Sequence, residues 1–187
     1  MDPAYPAVSG ILRDSHRPLL DIGCGMGLLA SWLRANGHQA PITALDVDAK
    51  KIALAQKVLG TDNARFRTGD ALGFEDHSGD VVVLDVLHYF SDEQQCRLLE
   101  KIARSVSPGG VALIRVTLRE PTWRFALTQM EESFIKFVRW IPTAGQNFPV
   151  RATVESAFPT EQFAVDMRPM WGRTPFNSYL FTFRRKV

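Results

Sequence analysis

From residue 18 to residue 118 the chain repeats one pattern: a short apolar run, a turn signal, then a helical periodicity. Such alternation leaves few folds open, because parallel strands cannot be joined by tight turns and need crossover helices, which then cover both faces of the sheet. The first run is residues 18–23 (PLLDIG). Leu28, Leu29, Trp32 and Leu33 follow at helical spacing before Asn36 and Gly37 close the pattern. Residues 42–46 (ITALD) read as a second strand, after which Asp48 can cap a helix with Ile52, Ala55, Val58 and Leu59 on its inner face and Gly60 at its end. A short third strand covers 64–68. Residues 80–87 (DVVVLDVL) are rich in β-branched side chains, as a strand buried on both faces requires. Ser91 with Gln94 forms a capping-box pattern for a helix that turns Leu98, Leu99, Ile102 and Val106 inward, and 111–118 is the fifth strand after Ser107-Pro108-Gly109-Gly110. Beyond it, a helix over 121–139, a short one over 153–157 and strands over 162–170 and 178–184 complete the reading.

Composition narrows the function classes. With 187 residues, 45% of them hydrophobic, one domain with a buried core is expected. Lys plus Arg is 22 and Asp plus Glu is 20, for a net charge of +2 with no block of like charge, so a nucleic-acid or membrane footprint is not supported. The apolar runs 81–84 and 111–114 fall far short of the roughly 18 residues of a membrane span, and no basic-then-apolar leader opens the chain. We expect no membrane span and a cytoplasmic location. Cys24 and Cys96 stand in different elements, with no CxxC and no cysteine-histidine cluster, so no metal site is expected.

Asp21-Ile22-Gly23-Cys24-Gly25-Met26-Gly27 joins the first strand to the first helix, and a bend this rich in glycine lets a ligand reach the backbone. The spacing is GxGxG, with Leu28 where a dinucleotide fingerprint needs its third glycine, and no GxxxxGK[ST] phosphate loop is present. Asp21, Asp46, Asp70 and Asp85 fall at or near the C-terminal ends of the first four predicted strands, the edge where open α/β sheets bind ligands. Asp46, 19 residues after Gly27, is placed to accept two hydrogen bonds from a ribose diol. Asp70 could accept from an adenine amino group. Singly, each would pass for a solvated cap or turn residue; together they describe a nucleoside site.

These residues resemble the class I S-adenosylmethionine-dependent methyltransferases: Leu19-Leu20-Asp21-Ile22-Gly23-Cys24-Gly25-Met26-Gly27, Ala44-Leu45-Asp46-Val47-Asp48, Thr68-Gly69-Asp70-Ala71, the run from Asp80 to Phe90, and the stretch from Leu98 to Gly110 ending Ser107-Pro108-Gly109-Gly110. The resemblance implies a Rossmann-like, seven-stranded, mostly parallel sheet with helices on both faces and a C-terminal antiparallel strand. It implies one methyltransferase domain over 1–187, with 18–118 as the cofactor-binding core and 119–187 as an acceptor-side helix and final strand hairpin. By the same carry-over the glycine loop with Gly23, Cys24 and Gly25 would hold the methionine part of S-adenosylmethionine or of its product S-adenosylhomocysteine, and Asp21, Asp85 and Val86 would also bind the cofactor. Asp46 would hold the ribose, Val47 would pack on the adenine, and Gly69, Asp70 and the Ala71 amide would read its edge. Two departures stand out. Only 17 residues precede the first strand, so a cover over the cofactor is either missing or supplied by residues 5–12. The fourth motif reads Asp85-Val86-Leu87-His88 and not D/N-P-P-Y/F, which disfavours amino methylation of nucleic-acid bases.

A sulfonium methyl group is intrinsically electrophilic, so the protein chiefly has to align an acceptor and exclude water. Where the acceptor is a hydroxyl or amine a base is useful, and His88, directly after the fourth strand, is the candidate; a packing role is its alternative. His16, His38 and His77 fall in turns and are expected in solvent. Loops after strands four, five and six open on the same edge, nominating Tyr89, Arg119, Trp123, Trp171 and Arg173 for the acceptor, with Trp123, Trp171 and Phe176 as an aromatic wall. Phe134, Phe137 and Trp140 belong to an aromatic helix that either packs on the sheet or covers the acceptor or a dimer surface. The segment 171–180 (WGRTPFNSYL) resembles methyltransferases of bacterial aryl-polyene pigment clusters, which would imply a small aryl or carrier-tethered acceptor. The expectation is methyl transfer from S-adenosylmethionine to a small, apolar or aromatic acceptor by a monomer or homodimer. The alternatives are a non-catalytic cofactor-binding regulator, an RNA or protein methyltransferase and, third, an NAD-dependent oxidoreductase.

Overall fold

The computed structural model describes residues 2–59, 63–121, 123, 125, 147–171 and 177–187. Seven strands form one sheet in the order β3-β2-β1-β4-β5-β7-β6. They are β1 (Leu19–Ile22), β2 (Ile42–Asp46), β3 (Ala64–Thr68), β4 (Asp80–Leu84), β5 (Val111–Thr117), β6 (Phe163–Pro169) and β7 (Ser178–Arg185). The first five pair in parallel, and β7 runs antiparallel between β5 and β6. The chain order reverses direction beside β1, so β1 and β4 diverge to opposite halves of the sheet and leave a crevice above their C-terminal ends.

Side-chain alternation along the strands divides the core into two layers. On one face Leu20, Ile22, Val81 and Val83 pack with Leu98, Leu99 and Ile102 of α4 (Asp92–Ser105). On the other, Leu19, Ile42, Ala44, Val82 and Leu113 meet α1 (Ala4–Leu12), α2 (Leu28–Ala35) and α3 (Ala49–Leu59). Leu98, Leu99 and Ile102 are fully buried, each worth roughly 2 kcal/mol of transfer free energy. The predicted capping box is present: Ser91 Oγ accepts from the Gln94 amide at 3.3 Å, and Gln94 Oε1 accepts from the Ser91 amide at 3.0 Å. Asp48 caps α3, with Oδ1 accepting from the Lys50 amide at 2.9 Å. The short helix expected near 153–157 is α5 (Arg151–Ser156). Gly60 and nearly all of the helix expected over 121–139 lie outside the described residues.

Five expectations are corrected. The strand expected over 80–87 ends at Leu84, because Asp85 takes φ 58° and turns the chain out of the sheet. Val58 and Leu28 are exposed: the positions of α3 that reach the sheet are Ile52, Ala55 and Leu59, and Leu28 opens α2 above the sheet edge. His38 is buried, and desolvation holds its pKa below the ordinary imidazole value. His77 is half-buried, with its Nε2 3.0 Å from the Asp80 carbonyl oxygen.

Candidate functional site

The glycine bend is built by hydrogen bonds to the neighbouring strand. The Gly23 and Cys24 amides donate to the Leu45 carbonyl at 2.8 and 3.0 Å, so the chain leaves β1 against the end of β2. Gly23 has φ 76°, and a Cβ there would lie 2.3 Å from Val86 Cγ2 on the bend after β4. Glycine is therefore required both for backbone conformation and for the close approach of two loops. Gly25 differs: a Cβ there would meet nothing within 4 Å, so its missing side chain leaves open space.

That space belongs to a cleft of two adjoining cavities, of about 610 and 280 Å³, which share Gly23, Gly25, Lys51, Leu84 and Asp85. The larger is lined by Leu45, Asp46, Val47, Asp48, Gly69, Asp70, Ala71, Val86, Tyr89 and Phe90. Asp46 is fixed before any ligand arrives, with Oδ2 accepting from the Gly25 amide at 2.9 Å and Oδ1 from the Asp48 amide at 2.9 Å. Each oxygen keeps a second lone pair. Val47, 73% exposed, presents an apolar surface on the rim. Asp70 caps the turn Ala71–Gly73 by accepting from the Leu72 amide at 3.0 Å.

The smaller cavity is lined by Tyr5, Asp21, Cys24, Met26, Leu28, Leu29 and Arg115. Tyr5 reaches it from α1, whose Val8 and Leu12 are buried in the core, so part of the segment expected to cover the cofactor does line the cleft. Asp21 is buried and its Oδ2 has no hydrogen-bond partner. Burial, reinforced by the Asp46 charge, pushes its carboxyl up to about 7. Burial also raises the Cys24 thiol well above its ordinary range, making it inert as a nucleophile. Arg115 of β5 bonds to both Asp85 and Asp2, and its side chain is 14% exposed.

Thus the cofactor residues expected from sequence, from Asp21 to Val86, converge on one cleft, and Tyr89 stands at its rim, 65% exposed. Among the described residues, Arg119, Trp123 and Trp171 are not part of its lining. His88 lines neither cavity. It is buried, with Nδ1 lacking a partner and its pKa lowered to about 4 by desolvation. Its ring lies 4.2 Å from that of Tyr89 and 5.7 Å from that of Phe148, and Phe148 meets Phe125 edge-on at 5.5 Å. Gln95 braces this loop, its Nε2 donating to the Leu87, Phe90 and Asn147 carbonyls at 3.1, 3.2 and 2.6 Å. Arg119 is exposed and its amide donates to the Pro149 carbonyl at 2.9 Å; Trp123 is exposed; Trp171 packs edge-on against Tyr179 at 5.8 Å. Arg173, Phe176, Phe134, Phe137 and Trp140 lie outside the described residues.

Sequence reading missed Arg115 and Glu120. Arg115 is the one charge inside the apolar run VALIRVT, and a guanidinium in a buried strand has to find carboxylates. Glu120 accepts from Asn177 Nδ2 and Tyr179 Oη, both at 3.1 Å, and ties the end of β5 to the start of β7. No pattern within the sequence pairs residues so far apart.

A mostly parallel sheet in this order, with a glycine bend after β1 and an acid ending β2, defines a Rossmann-like nucleoside-binding domain. Residues 19–110 match the family model described as a methyltransferase domain, and they form a domain of the class I S-adenosylmethionine-dependent methyltransferases. The chain is 35% identical over 102 residues to phthiotriol/phenolphthiotriol dimycocerosates methyltransferase 1 of Mycobacterium ulcerans, an alignment covering 53% of this chain and 37% of that protein. The chain thus spans well under two thirds of that relative. Among solved structures, magnesium protoporphyrin IX methyltransferase from Synechocystis PCC 6803, with bound S-adenosylhomocysteine, superposes with a TM-score of 0.76 at 18% identity, over 99% of this chain and 83% of that one. A [4+2]-cyclase superposes with a TM-score of 0.73 at 16% identity, covering 100% and 82%. Likeness at that identity speaks for the fold and not for the reaction. The cleft itself fits the cofactor: open backbone at Gly25, a fixed carboxylate at Asp46 with spare lone pairs, an apolar rim at Val47, and an unpartnered buried acceptor on Asp21.

Proposed function

We propose that the chain transfers the methyl group of S-adenosylmethionine to a small apolar or aromatic acceptor, free or carrier-tethered. Bound in the cleft, the sulfonium supplies an electrophilic methyl group, and the remaining work falls to the protein. Asp46 accepts from the ribose hydroxyls, Val47 packs on the adenine face, Asp70 and the Ala71 amide meet the adenine edge, and Asp21 faces the amino-acid end. The observation that carries the acceptor reading is Tyr89, exposed at the cleft mouth with the rings of His88, Phe148 and Phe125 behind it. Tyr89, backed by those buried rings, offers a flat apolar surface to an acceptor and helps keep water from the reacting carbon. The relative named for phthiotriol and phenolphthiotriol acceptors supports the same class. The test is incubation with methyl-labelled cofactor and a panel of phenols, long-chain alcohols, carrier-linked aryl acids, RNA and peptides. Label in the apolar or aryl products is expected; label confined to RNA or peptide, or saturable binding without transfer to any acceptor, would overturn the proposal.

For His88 we propose support of this surface in place of proton transfer. A ring whose pKa is about 4 is neutral throughout the physiological range and a weak base there. The His88→Ala variant is expected to lower the rate through lost packing while leaving the shape of the pH–rate profile between pH 6 and 9 unchanged. Loss of an ionisation from that profile would establish His88 as the base.

A further inference from the structure

The segment leading into α1 sets the Asp2 carboxylate against Arg115, a residue that lines the smaller cavity of the cleft. Arg115 holds two acids at once: Asp2 on Nη1 and Asp85 on Nη2. Their anchoring differs. Asp85 follows β4, and its amide donates to the Arg115 carbonyl at 3.0 Å, so the sheet itself fixes it beside the guanidinium. Asp2 precedes α1 and is held by its side chain alone, through Arg115 and through the Ala4 amide at 2.9 Å. Arg115 Nε is buried with no acceptor and Asp21 Oδ2 is buried with no donor, and both residues line the same cavity. One donor and one acceptor are thus unsatisfied, an arrangement that costs stability unless a ligand supplies the missing partners. A group carrying a carboxylate beside an ammonium has both.

We propose that Asp2 is an internal stand-in for the α-carboxylate of the cofactor: it occupies the Arg115 fork in the unliganded protein and gives way when the amino-acid end of the cofactor enters. This rests on the reading of the cleft as an S-adenosylmethionine site. Asp85 stays paired throughout and keeps the guanidinium aimed. Exchange of one carboxylate for another leaves the charge at Arg115 unchanged, so the step costs little in electrostatics and is governed by how much of the time Asp2 occupies the fork. Tyr5, three residues on, lines the same cavity, and release of Asp2 frees the start of α1 to adjust around the ligand. The consequence is a cleft that binds the bare nucleoside independently of Asp2 but admits the amino-acid end only in competition with it.

Calorimetric titration of the full chain with three nucleosides tests this: S-adenosylhomocysteine, its decarboxylated analogue, and 5′-methylthioadenosine, which lacks the amino-acid end altogether. Asp2→Asn is expected to tighten S-adenosylhomocysteine by the reciprocal of the fraction of fork left free by Asp2, about fivefold if the fork is free roughly a fifth of the time, and to leave the other two within about twofold. Arg115→Lys, with folding checked by thermal denaturation, is expected to weaken S-adenosylhomocysteine and spare methylthioadenosine. If Asp2→Asn weakens S-adenosylhomocysteine, Asp2 is a ligand to the cofactor and the exchange is wrong. If all three affinities move together, or none moves, Asp2 acts on the fold alone and the exchange is likewise wrong. Failure of the parent chain to bind either S-adenosylhomocysteine or methylthioadenosine would instead remove the cofactor reading beneath it.

Discussion

An Asp46→Ala variant is expected to bind S-adenosylhomocysteine about 100-fold more weakly than the parent, from the loss of two charge-assisted hydrogen bonds to the ribose worth roughly 3 kcal/mol together. The loss has a second source. Asp46 accepts from the Gly25 and Asp48 amides, so its removal also releases the glycine bend from the end of β2. Asp46→Asn keeps one acceptor oxygen and is expected to fall between the two. Isothermal titration with S-adenosylhomocysteine and with adenosine, which carries the same diol, reads the effect; both ligands should weaken by similar factors. Affinities within threefold of the parent would mean that the sugar is held elsewhere. The unliganded variant should stay folded, because Asp46 is only partly buried and ends its strand at the surface.

The second large effect is on stability and its pH dependence. Asp21 has a carboxyl raised to about 7 in the folded chain, against about 3.9 for an exposed one, because burial penalises its charge. Between those values the native state holds a proton that the unfolded chain has released. The stabilising protonated form is fully present below about pH 4 and is lost as pH rises through 7, a swing on the order of 4 kcal/mol. His88 works in the opposite sense. Its folded pKa is about 4, so stability is lost as pH falls from 6.5 through 4. The two nearly cancel in the parent, whose stability should vary little between pH 4.5 and 6.5. Asp21→Asn removes one of them. The variant is expected to be more stable than the parent by on the order of 4 kcal/mol at pH 8, to match it near pH 4, and to show the acid-side loss due to His88 unmasked. Urea denaturation at pH 4.5, 6 and 8 measures this, and equal destabilisation at all three would refute it. S-adenosylhomocysteine should bind the variant more weakly, since the buried acid that costs the empty protein stability is the partner available to the cofactor's ammonium group.

Much of this was legible before any coordinates. Periodicity alone placed β2 and β3 at their observed limits, and the capping box at Ser91 and Gln94 is a local bond between residues three apart, readable because nothing distant is needed to make it. The nucleoside end of the cleft was equally accessible, because its side chains lie on the first residues after successive parallel strands, and parallel strands end on a common edge. The acceptor side was not. Tyr89 was found, but Arg119, Trp123 and Trp171 line neither described cavity, because sharing a sheet edge does not by itself bring side chains to one site.

The sequence by itself determined the alternating architecture, the glycine bend and the acids at the strand ends, since each follows from steric and hydrogen-bonding rules that act over a few residues. Only the tertiary structure decided what those acids experience. Asp21 and Asp46 look alike in sequence, each at or next to the end of a β-strand, yet one is sealed from water with an unpartnered oxygen and the other is bonded to two amides. Desolvation and long-range pairing, as in the joining of Asp2, Arg115 and Asp85 from three distant parts of the chain, depend on distances between segments that no local pattern encodes.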